Sequence, residues 1–135
     1  MTKLSIQEAF IYVMVTMAAA DRDMTDRELK RIGAVVQNLP AFSEFDREKL
    51  VSVAEACGGM LGEEGLDAVL DLVVGSLPER WHDTAYALAV EVAAADLHVE
   101  QEELRLLQII RDRLDIDNLT VAAIERAARA RFRKP

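Results

Sequence analysis

Ala18 to Leu29 reads AAADRDMTDREL, and Ala93 to Leu104 reads AAADLHVEQEEL. At one constant offset of 75 residues, Asp21 matches Asp96 and Glu28 matches Glu103. The chain therefore carries an internal repeat, with units near 5–39 and 80–114. Each copy joins an almost uninterrupted apolar run to an acidic loop and then to a second, amphipathic run. That is the pattern of a helical hairpin with carboxylates at its corner.

The rest of the chain follows the same period. Leu29, Ile32, Val35, Val36 and Leu39 recur at three and four, as do Leu50, Val53, Ala54 and Cys57. No segment alternates with period two, so the expected fold class is all-α. Ser or Thr followed three residues later by an acid marks four helix starts: Ser5/Glu8, Thr25/Glu28, Ser43/Asp46 and Ser76/Glu79. Seven helices are expected, near 5–20, 25–38, 44–57, 63–75, 78–95, 100–114 and 118–131. Gly and Pro punctuate short links, and residues 1–135 read as one domain. The two Ala-ended runs are apolar almost all round, so they are expected as a central pair enclosed by the other five.

Composition narrows the function classes. Acids outnumber bases 24 to 16, a net charge of −8 that opposes binding to a phosphate backbone, so nucleic acid is not an expected partner. The basic residues gather at the end of the chain, where Arg126, Arg129, Arg131, Arg133 and Lys134 face only Glu125. This is the charge bias of a helix C-terminus or of a docking tail. Cys57 is the single cysteine, so no intrachain disulfide forms and a cytoplasmic location is expected. AFIYVMVTMAAA at 9–20 has the look of a signal peptide, but its counterpart AYALAVEVAAA at 85–95 lies deep in the chain. Both runs are too short to span a bilayer.

The acidic corners hold the candidate site. Oxygen-bearing side chains fall at Asp21, Asp23, Thr25 and Glu28, and potential ligands at Asp96, His98, Glu100 and Glu103, a D-x-[DH]-x-[TE]-x-x-E spacing in both copies. A helix ending at the Asp and restarting three or four residues later returns that Asp toward the Glu. Such convergence suits a hard divalent cation, Ca, Mg, Mn or Zn. The spacing is not that of an EF-hand, which places its Glu at position twelve and a Gly at position six. Capping competes with this reading. Thr25 and Glu28 form a capping box, and Asp21 can accept from the free N–H groups of the next helix. The second corner is less readily explained by capping, because Glu100 is a poor cap and Glu100, Glu102 and Glu103 crowd carboxylates beside Asp96.

An Ala-rich apolar helix, an Asp, a short loop and a Glu in the next helix, present twice, resemble the bacterial tellurite-resistance TerB-like family from about Leu4 to Leu114. The resemblance implies an all-helical, non-enzymatic stress- or metal-response domain that binds metal and contacts another protein. By position, Asp21, Glu28, Asp96 and Glu103 would be its functional acids. Where the family commonly has Gly after the Asp, this chain has Arg22 and Leu97.

Other motifs carry less. Glu79 and His82 form E-x-x-H, with Glu55 and Glu91 as conceivable helical partners, but a di-iron bundle needs a second such pair. GGMLGEEG at 58–65 lacks the Lys-Ser/Thr ending of a phosphate loop. Cys57 is expected as an inert buried thiol, and Trp81, Tyr12, Tyr86 and the phenylalanines as core. Glu91, the lone charge in its run, is expected either buried and paired or on an exposed stripe.

Overall fold

The computed structural model describes residues 3–20, 24–95 and 101–135. Among these the chain forms seven α-helices and no strand: α1 (Ile6–Ala18), α2 (Asp26–Asn38), α3 (Leu50–Glu64), α4 (Leu66–Ser76), α5 (His82–Ala95), α6 (Gln101–Leu114) and α7 (Asn118–Phe132). None of them is long and apolar enough to cross a membrane.

Two of the four expected capping boxes form. Ser5 opens α1 and Thr25 opens α2, each exchanging hydrogen bonds with the Glu three residues on. The other two do not. Ser43 follows a short 3₁₀ turn, and it is Asp46 that caps a second one, accepting from Glu48 N at 3.0 Å, so α3 starts at Leu50 rather than near 44. Ser76 ends α4, and its hydroxyl accepts from Leu4 N at 3.0 Å, tying the chain start to α4. With that oxygen engaged, Pro78 leads into a 3₁₀ turn at Glu79–Trp81 and α5 begins at His82. The expected start near 63 also shifts. The chain stays helical to Glu64 and breaks at Gly65, whose φ of +91° and ψ of 173° suit a residue without Cβ.

Residues Ala9 to Ala18 of α1 are all buried, so this helix is enclosed as expected. Its neighbour α5 is enclosed only in part. Ala85, Tyr86, Leu88, Ala89, Val90 and Ala93 are buried, while Glu91 and several small side chains remain on an accessible face. A charge in mid-helix keeps that face near water. Glu91 is paired there, accepting from Arg131 at 2.5 Å, and α7 is thereby tied across α5.

Side-chain contacts set the helix directions. At one end Phe10 stacks edge-on with Trp81 at 5.8 Å and with Phe42 at 6.1 Å, and Gln7 donates to Ala41 O at 3.2 Å. The starts of α1 and α5 therefore lie together, beside the ends of α2 and α4. His82 joins the same end to the finish of α6, with Nδ1 3.0 Å from Leu114 O and Nε2 3.1 Å from Leu77 O. Tyr86 with Glu125, and Glu91 with Arg131, show α7 running in the same direction as α5. Thus α1, α5 and α7 point one way, while α2, α4 and α6 return.

Candidate functional site

Because α1 and α5 run in the same direction, their C-terminal ends share one end of the bundle. Ala19, Ala20 and Met24 beside the first loop line a cleft with Leu106 of α6, the helix that follows the second loop.

In the first corner Glu28 is half-buried and committed to its cap. One carboxylate oxygen, Oε1, accepts from Thr25 N at 3.0 Å and from Thr25 Oγ1 at 3.1 Å, while Glu28 N donates to Thr25 Oγ1 at 3.2 Å. That exchange satisfies free groups of the helix start and places a negative charge at the positive end of the helix dipole.

Glu103, the matching residue, sits differently. It lies in the first turn of α6 with only 8% of its surface exposed, the one buried ionised-type side chain among the described residues. Glu103, Leu106, Ile110 and Leu114 form the buried stripe of α6 at helical spacing. An acid thus occupies a core position, one turn from the leucine that meets the end of α1. Burying a carboxylate costs several kcal/mol unless charges and hydrogen bonds compensate it, so this position is specialised. The sequence signal for the burial is the register itself, since Glu103 precedes three apolar residues on one face.

Asp21, Asp23, Asp96, His98 and Glu100 lie outside the described residues, leaving Glu28 and Glu103 as the expected ligands with described positions. Among the described residues no three His, Cys, Asp or Glu side chains gather as a metal-binding group.

The E-x-x-H pair does not form a ligand set. Both His82 nitrogens face backbone carbonyls, Glu79 belongs to a 3₁₀ turn, Glu55 is exposed, and Glu91 is held by Arg131. Cys57 is fully buried, its S–H directed to Tyr12 O at 3.6 Å and its sulfur 3.7 Å from Thr16 Oγ1. Burial pushes its thiol up to about 11, which suppresses the nucleophilic thiolate.

The sequence shows the basic cluster at the end of the chain but not what it lies against. The basic end of α7 lies alongside the later part of α5, at the end of the bundle where α5 finishes. Arg129 and Arg133 line a cleft with Ala93 and Ala94, immediately before the second corner, and with Leu104 just after it. The described residues thus form seven helices, with the C-terminal ends of α1 and α5 and the basic terminus of α7 at one end of the bundle. Comparison with family models, curated proteins and solved structures finds no match for this chain.

Proposed function

We propose that this chain is a non-enzymatic, TerB-like stress- or metal-response domain that binds a divalent cation between its acidic corners and contacts a partner protein. The observation that supports this reading is the parallel course of α1 and α5, which sets their C-terminal ends at one end of the bundle, with Glu103 buried in the first turn of α6. The second copy is the expected principal site, because Glu100 is a poor cap and Glu100, Glu102 and Glu103 crowd carboxylates beside Asp96 in the sequence. A second reading has an observation of its own. Thr25 and Glu28 cap α2 without any metal, and the arginines at the end of α7 offer a basic surface, which suits a purely structural interaction module.

Thermal melting and calorimetric titration with Ca²⁺, Mg²⁺, Mn²⁺ and Zn²⁺ separate the two. Metal binding predicts saturable stabilisation, about 2.7 kcal/mol at a hundredfold excess over Kd. That gain is expected to disappear in Asp96→Asn and Glu103→Gln and to weaken in Asp21→Asn. Melting indifferent to all four ions, in a chelator-treated protein, selects the structural module.

A further inference from the structure

We infer that the trough between α6 and α7 is a binding site for an anionic amphiphile, an aliphatic chain ending in a carboxylate. Both helices pack on α5 and leave a cleft of about 600 Å³ between them, within the range of about 300–1,000 Å³ usual for small-ligand sites. Its floor is Tyr86, Val90, Ala93 and Ala94 of α5. At 1.5 Å rise per residue that floor is about 12 Å long. Such a length is short for a docked partner helix and suits a single aliphatic chain. Leu104 and Leu107 form one wall, Ala128 and Phe132 the other. Leu104 is 54% exposed, a large apolar side chain open to water at the mouth of the trough.

Charge selects the headgroup. Arg111 on α6, Arg129 on α7 and Arg133, the extended residue that follows α7, line the same cleft. The acid there, Glu125, already accepts from Tyr86 OH at 2.5 Å, which fixes α7 to α5 at the base of the trough. Among the described residues neither Arg129 nor Arg133 has an ion-pair partner. A chain with net charge −8 thus places three arginines around its apolar trough. Arginine is the side chain best suited to hold a carboxylate by paired N–H donors. A cationic amphiphile would meet like charge, and a neutral one would leave the guanidinium groups uncompensated.

Decanoate, decanol, decyltrimethylammonium and acetate are to be titrated calorimetrically below their micellar concentrations, in excess chelator so that the result is independent of any metal site. The expected order is saturable decanoate binding, much weaker decanol binding, and no measurable binding of the cation or of acetate. Both arginines are exposed, so Arg129→Gln/Arg133→Gln should melt like the parent. Its decanoate affinity should fall tenfold or more, the equivalent of about 1.4 kcal/mol of lost charge-assisted hydrogen bonding. Leu104→Glu should weaken decanoate comparably by placing an acid at the mouth. Absence of saturable decanoate binding overturns the assignment, as does decanol binding equally well or undiminished affinity in the folded double variant.

Discussion

Raising the pH from 9 to 11 should destabilise the protein through Cys57, and the size of the effect follows from its position. Its thiol lies wholly inside the bundle between α1 and α3, and burial raises its pKa from 9.0 to about 11, against a smaller opposing contribution from the Thr16 hydrogen bond. In the unfolded chain the thiol ionises first. Between the two pKa values the unfolded state therefore binds fewer protons, and stability falls as pH rises. Two units correspond to about 3 kcal/mol, of which somewhat over 1 kcal/mol is lost by pH 10. Well below its unfolded pKa of 9.0 the thiol is neutral in both states and contributes no slope.

The assay is urea unfolding at fixed pH steps from 8 to 11, comparing the parent with Cys57→Ala. The variant is expected to start less stable, because it leaves a small cavity, but to lose less stability as pH rises. Tyr86 and Tyr12 also ionise above their ordinary range, chiefly because burial disfavours the phenolate, and they add to alkaline destabilisation in both proteins. The difference between the two curves reports Cys57 together with its charge coupling to Tyr12. Parallel curves from pH 9 to 11 would refute the reasoning, as would native-state labelling of Cys57 at the rate of an exposed thiol.

Two further substitutions probe the joints of the bundle. Gly65→Ala is expected to cost about 1–3 kcal/mol in chemical denaturation, because φ of +91° with ψ of 173° is costly for a residue with Cβ even though no neighbour lies within 4 Å of it. An unchanged midpoint would show that this link relaxes freely. His82→Ala should lose about 1–3 kcal/mol by releasing the carbonyls at the ends of α4 and α6, measured by the same method. A loss under about 0.5 kcal/mol would mean that water replaces the imidazole without penalty.

The sequence by itself determined the elements. Helical period, apolar composition and the boxes at Ser5 and Thr25 are local properties, so the seven helices and their order are legible in AFIYVMVTMAAA, its counterpart and the links between them. The box read at Ser76 fails for the opposite reason. A hydroxyl three residues before an acid caps a helix only if no tertiary partner claims it, and Leu4 N claims Ser76. Likewise, the repeat revealed two acidic corners, but no short-range pattern tells parallel central helices from antiparallel ones. That was decided by Phe10 meeting Trp81 and by His82 bridging α4 to α6, contacts between residues far apart in the chain. The burial of Glu103 and the basic trough along α7 are tertiary in the same sense. Charge and helical register can be read along one helix, but the neighbour that covers a face, or leaves it open, is chosen only when all seven helices pack.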